Sequence, residues 1–238
     1  MKPPEFKNLI VFENENYVVI NKPPHFSSLD DRDKTKLSIL DLARSQYPDP
    51  QLCHRLDKET SGVLAIAKNP EAYRHLSIQF EKRKTIKIYH AIAVGIHHFK
   101  DKIVNLPIAV SAKGNVRIDT AEGKPSETIF DTLEIYKYHT LLACKPLTGR
   151  MHQIRIHLAC VDAPIVADKM YGGTDILLSD LKRKFNLKQE TEEEPLIKRV
   201  ALHAYQLIFT DLDDKLITAT AQYPKDIRAL LTQLRKNV

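Results

Sequence analysis

The sequence predicts an α+β fold, a mixed and mainly antiparallel sheet with flanking helices. Apolar runs of strand length outnumber helical patterns and mostly follow one another along the chain. Residues 86–94, "IKIYHAIAV", alternate with period two: Ile86, Ile88, His90, Ile92 and Val94 share one face, Lys87, Tyr89, Ala91 and Ala93 the other. The clearest helix, within 69–84, carries its own start signal, with Asn69 as N-cap and Pro70 at the first helical position.

In chain order, "LIVFENENYVVI" (9–20) reads as two short strands around the polar turn "ENEN". "NKPP" ends the second strand, because proline has no amide to give a ladder. A polar loop follows, then a short helical pattern at "LSILDLARSQY" and a compact apolar strand at "GVLAIAKN". In the helix after Asn69, Ala72, Leu76 and Phe80 form one apolar face. Strands fit 128–135 and 138–145, and "PLTGR" breaks the second. "MHQIRIHLACV" has Ile154, Leu158 and Val161 at helical spacing. Residues 200–210 form a strand, "DLDD" a turn, "KLITAT" a further strand, and an amphipathic helix follows Pro224. No internal repeat is present. A single domain over 1–238 is expected, with the charged stretch 174–199 as a loop insertion, read first as solvated surface.

Composition narrows the class. With 43% hydrophobic and 28% charged residues the chain is that of a soluble globular protein, long enough to bury a real core. No apolar run approaches a membrane span, and the N-terminus lacks a signal-peptide h-region, so the cytoplasm is the expected location. Cys53, Cys144 and Cys160 form no CxxC pair and no zinc spacing; each reads as a small buried hydrophobe. The net charge of +6 favours polyanions, whether RNA, DNA or phosphorylated metabolites.

Three elements can carry chemistry. In "HRLDKETSG" (54–62), Gly62 supplies the conformational freedom for a tight turn that holds Asp57 near a buried strand. A carboxylate there needs compensation. Arg55, two positions away, makes Asp57 either half of a structural ion pair or a catalytic acid kept ionised. In "GRMHQIRIHLA" (149–159), Arg150 and His152 sit at a helix start, and Gln153 and His157 share one side. Arg155, beside the apolar stripe, wants a planar anionic partner; a surface helix of basic and amide groups is the plainer reading. His152 and His157, at i, i+5, face different ways, and no metal site is predicted. Tyr89, flanked by alanines, either simply packs or offers a flat stacking platform.

Together, "HRLD" with "TSG", "KIYHA", "GRMHQIRIHLA" and "ALHA" (201–204) stand in the order and spacing of one family. From about residue 9 to 221 the sequence resembles the RluA-type RNA pseudouridine synthases. The resemblance implies that Asp57 is catalytic and that Arg55 enters the RNA where the target nucleotide is flipped out. It implies that Tyr89 stacks on the target base and Arg155 pairs with the catalytic aspartate. The apolar residue on the base's other face is placed at Leu202. It implies isomerisation of specific uridines in structured ribosomal or transfer RNA, by a monomer that needs no cofactor or metal and acts on neither DNA nor membranes. Lysines around the site, including the run at 82–87, would contact phosphates.

Two departures from the family pattern bear on selectivity. Many relatives carry an N-terminal RNA-binding domain, whereas about eight residues precede the first strand here. Substrate selection is therefore expected from the catalytic domain, or from loop 174–199 as an RNA-contacting flap. Where the family often has "KPxGLxVHP", this chain reads "KPPHFSSLDDRD", so no role carries over to 23–33. A non-catalytic RNA-binding module of the same fold is the rival, but Asp57, Tyr89 and Arg155 are all present. A hydrolase is the other, and glycosidases usually need two carboxylates where these motifs supply one.

Overall fold

Asn14 closes the first turn of the chain, its side-chain oxygen accepting the Asn16 and Tyr17 amides at 3.0 and 2.7 Å. The structure is a computed structural model in which residues 4–29, 37–182, 185 and 192–237 are described. Around that turn β1 (Ile10–Glu13) and β2 (Tyr17–Lys22) pair antiparallel, and Pro23 ends β2 as expected. Ser38 starts α1 (Ile39–Arg44) with a capping box: its hydroxyl accepts the Asp41 amide while the Asp41 carboxylate accepts the Ser38 amide. A two-residue strand β3 (Gln51–Leu52) precedes β4 (Ser61–Ala67). Asn69 caps α2 (Pro70–Glu81) through the Ala72 amide at 2.9 Å, with Pro70 at the first position.

Next come β5 (Ile86–Val94), β6 (Lys102–Asn105), β7 (Ile108–Val110) and β8 (Val116–Ile118). β9 (Glu127–Ile135) and β10 (His139–Pro146) are followed by α3 (Gln153–Ala159) and the one-turn α4 (Leu178–Leu181). The chain ends with β11 (Leu202–Thr210), β12 (Leu216–Thr220) and α5 (Lys225–Lys236). Of the charged stretch 174–199, residues 183, 184 and 186–191 lie outside the described residues, as do 30–36 of the loop after β2.

The chain divides into two compact units, Met1–Tyr89 with His203–Gln222, and His90–Leu202 with Tyr223–Val238. In the first, the strands run β1-β2-β4-β11, with β3 on β4 and β12 on β11. Only β4 and β11 pair parallel there among the described registers, at Ser61 with His203 and Gly62 with Ala204. Alternation sorts the side chains of this sheet into two cores. Tyr17, Val19, Val63 and Ala65 pack with Ala72 and Leu76 of α2 and with Leu207, Phe209 and Ile217. Val18, Ile20, Leu64 and Ile66 pack with Ile39 and Ala43 of α1 and with Phe6 and Leu56. Because both faces are covered, β4 is buried along its whole length and apolar without a break from Val63 to Ala67. Each such leucine or isoleucine contributes about 1.5–3 kcal/mol.

In the second unit β10 pairs antiparallel with β9 through a bulge between Leu141 and Leu142, β9 pairs with β6, and β7 and β8 form a separate ribbon. α5 buries Ile227, Leu230, Leu231 and Leu234. Its Asp226 takes a two-pronged bond from the buried Arg199, at 2.7 and 3.1 Å.

Candidate active site

The "HRLD" segment is seated by its alternate residues. His54 turns inward, where its Nε2 accepts the Ala65 amide of β4 at 3.0 Å and its ring lies 4.7 Å from that of Phe80. Burial, and then the charge of Lys87, push His54 down to about 3, so the ring is neutral and serves as an acceptor. Leu56 also turns inward, into the core beside α1, and exchanges two bonds with Ser28: the Leu56 amide donates to its hydroxyl at 3.0 Å and the hydroxyl donates to the Leu56 carbonyl at 2.8 Å. Arg55 is left exposed and Asp57 half-exposed. Among the described residues neither side chain has a hydrogen bond or ion pair, so Arg55 and Asp57 do not form the structural pair that the sequence allowed.

The turn after Asp57 is fixed at several points. The Asp57 carbonyl accepts the Thr60 amide at 3.0 Å. The next carbonyl, of Lys58, accepts the His25 amide at 2.8 Å and the buried Lys22 ammonium at 3.2 Å. Lys22 also donates to the Pro23 and Phe26 carbonyls, so one cation ties the loop after β2 to the aspartate segment. Gly62 has φ +115°, and a Cβ there would lie 2.1 Å from the Ala204 carbonyl oxygen. Next to it, Ser61 Oγ bonds His203 Nδ1 at 2.9 Å, and the other ring nitrogen bonds the Ala221 carbonyl at 3.1 Å. "TSG" and "LHA" are thus the two halves of one parallel junction.

Tyr89 is half-buried and packs against the core that contains Leu56 and Ala204. Burial, and then the charge of Asp57, push its hydroxyl pKa well above the usual tyrosine value, so the phenol stays protonated. The structure therefore brings Asp57 and Tyr89 together. Two residues before it, Lys87 is pushed down to about 8 by burial and by Arg83, while Lys82, Arg83 and Lys84 are exposed.

The second unit holds the "HQIR" helix. Gln153 is buried and fully used: its Oε1 accepts from Thr148 Oγ1 at 2.6 Å and the Arg150 amide at 3.0 Å, and its Nε2 donates to the Glu127 carbonyl and Thr128 Oγ1. His157, one turn on and with its pKa lowered by burial, bonds Thr128 Oγ1 at 3.0 Å and, through Nε2, Ser126 Oγ and the Leu106 carbonyl. Both anchor α3 to β9. Arg155 is also buried, and its Nε and Nη2 each donate to Asp168 at 2.7 Å. The partner of Arg155 within its own unit is thus a residue that the sequence reading did not single out; the only signal was an acid followed by "KMYGG". Leu202 is buried, and its carbonyl accepts from Arg199 Nη1 at 3.3 Å.

Residues 16–160 match the family described as RNA pseudouridylate synthase. The ribosomal large subunit pseudouridine synthase C of Vibrio parahaemolyticus is 34% identical over 174 residues, which cover 72% of this chain and 55% of that protein. The protein of the same name from Vibrio cholerae is 30% identical over 246 residues, with 99% and 72% covered. Among solved structures, human RNA pseudouridylate synthase domain containing 4 superposes with a TM-score of 0.72 at 26% identity, over 97% of this chain and 95% of that one. This chain spans 55% to 72% of the length of these two curated relatives.

Proposed function

Since the chain belongs to the RNA pseudouridylate synthase family, we propose that it isomerises uridines in RNA to pseudouridine, with Asp57 as the catalytic residue. The observation that carries this reading is the state of Asp57. Its carboxylate is half-exposed and without a hydrogen bond or ion pair among the described residues, on a turn tied down on both sides, with a protonated phenol under its field. A structural acid would be consumed by a partner; this one is held ready.

The reaction breaks the C1′–N1 bond of uridine, turns the detached uracil and joins C5 to C1′, after which the C5 proton leaves. An ionised carboxylate serves as nucleophile at C1′ or as base at C2′. Tyr89 supplies a flat, neutral face for the loose base, and its fixed protonation keeps a second anion out of the pocket. Arg55, exposed beside the aspartate, is proposed to occupy the space that the flipped nucleotide leaves. Arg155 is proposed for the role the family resemblance implies, pairing with the catalytic aspartate, and Leu202 for the apolar contact to the base.

The names of the curated relatives point to large-subunit ribosomal RNA as the substrate, with basic side chains such as Lys82, Arg83 and Lys84 on its phosphates. The loop 174–199 is proposed as a further RNA contact. Among the described residues no helix is long and apolar enough to cross a membrane. Action as a monomer in the cytoplasm completes the proposal. Nucleoside analysis of a large-subunit ribosomal RNA transcript tests it: incubation with the protein should convert uridine to an isomer of unchanged mass, and release of free uracil would reveal a hydrolase instead.

A further inference from the structure

The loop that follows β2 is built flush against the aspartate segment, within the same compact unit. Lys22 donates to the Pro23 and Phe26 carbonyls and to that of Lys58. The Ser28 hydroxyl takes up both backbone polar groups of Leu56, and the Ser27 and Ser28 carbonyls accept the Ile39 and Leu40 amides that open α1. Between these ties stands His25. Its amide donates to the Lys58 carbonyl at 2.8 Å, which sets its backbone against the residue next to Asp57.

His25 is left-handed, at φ +69°, and its side chain is exposed. Among the described residues the ring has no hydrogen bond, ion pair or ring contact. A glycine would take this conformation freely, whereas a residue with a Cβ is strained in it. No contact of the imidazole among the described residues offsets that strain, and the tie to Lys58 is made by the backbone, which needs no side chain. What a flat ring at this place does offer is a surface for RNA. Unpaired bases of RNA loops stack on aromatic side chains, histidine among them, and hydrogen-bond along their edges.

We infer that His25 is a substrate-contacting residue of the proposed isomerisation, its imidazole receiving an RNA nucleotide at the rim of the aspartate turn. The inference rests on the functional reading above. It assigns a part to "KPPHF", a stretch to which the family resemblance carried none.

His25→Gly and His25→Asn test it, because both residues accept a positive φ and both remove the ring. The probe is a large-subunit ribosomal RNA transcript labelled with 5-³H-uridine, and tritium release is followed in single turnover over a range of protein concentrations. The concentration that gives the half-maximal rate should rise at least about fivefold in both variants, the lower end of what one lost base–ring contact costs. The maximal rate should stay within about twofold. The thermal midpoint of His25→Gly should stay within about 2 °C of the wild type, since relief of the strained backbone offsets the freedom that glycine adds to the unfolded chain. A half-maximal concentration unchanged in both variants overturns the inference. So does a midpoint lowered by more than about 5 °C together with a slower maximal rate, which would make His25 part of the scaffold. Filter binding of the same transcript keeps the functional reading apart. If the wild type releases no tritium but both variants still bind the transcript more weakly, the isomerisation falls and the RNA contact is upheld. If the wild type releases tritium and both variants match it in rate and affinity, the contact alone falls.

Discussion

Asp57 and Tyr89 are electrostatically coupled: the aspartate's charge adds to burial in holding the tyrosine hydroxyl protonated. The two residues come from the "HRLD" turn and from β5, separated by the whole of β4 and α2. Burial and the neighbouring acid both favour the protonated phenol, the form that offers a neutral ring face to the base.

Asp57→Asn should therefore abolish tritium release and leave RNA affinity nearly intact. One neutralised carboxylate is a small change among many phosphate contacts. Its backbone tether, the Thr60 amide on the Asp57 carbonyl, survives the substitution, so thermal stability should hold. Appreciable single-turnover activity in the purified variant would remove Asp57 from the chemistry.

Tyr89 separates a platform from an acid–base role. Tyr89→Phe keeps the ring, and no hydrogen bond of the hydroxyl is present among the described residues, so its rate should stay near the wild type. Tyr89→Leu removes base stacking worth about 1–3 kcal/mol, which slows the reaction by roughly ten- to more than a hundredfold if felt only in the transition state. Single-turnover rates of both variants decide the matter, and equal inactivity would implicate the hydroxyl.

Gly62→Ala should be poorly folded. The backbone at φ +115° alone costs about 1–3 kcal/mol for a side chain, and the new methyl would sit 2.1 Å from the Ala204 carbonyl oxygen. Relief requires β4 and β11 to part at their parallel junction, beside the catalytic turn. A large drop in the thermal midpoint, with activity lost in proportion, is the expected result; a wild-type midpoint would mean that the junction is pliable.

His54 makes stability pH-dependent. Its folded pKa, about 3, lies below the ordinary value near 6.5, so the unfolded chain binds the extra proton between those limits. Stability is complete above about pH 6.5 and is lost as pH falls toward 3. His157, also lowered by burial, acts in the same sense. In urea unfolding, the loss between pH 7 and pH 5 should be smaller in His54→Gln, which keeps an acceptor for the Ala65 amide but cannot titrate. An identical loss in both proteins would show that His54 is protonated in the folded state.

Much of this was legible from local pattern. The α2 start at Asn69 and Pro70, the alternation of β5 and the β1–β2 turn all follow from short-range rules, and all are present. β3, β6, β7 and β8 escaped because strands of two to four residues such as "VRI" are too short to show a period. At the site, spacing placed Gln153 and His157 on one side of their helix, but not the Thr128 hydroxyl that joins them. The role of His54 as a seated acceptor, and Asp168 as the partner of Arg155, depend on pairings across strands and turns that carry no periodic trace.

The junction of Ser61 with His203 spans 142 positions of sequence. Closing so long a loop costs about 2 kcal/mol more entropy than closing one a tenth its length. Non-local parallel pairing of this kind forms slowly. During synthesis, a chain that has grown to Leu202 already contains "HRLD", "KIYHA" and "HQIR", yet lacks the strand that seats Gly62. The aspartate turn can reach its working shape only after β11 has been made, so the nascent protein should gain its competence for RNA in one step, once that strand has paired with β4.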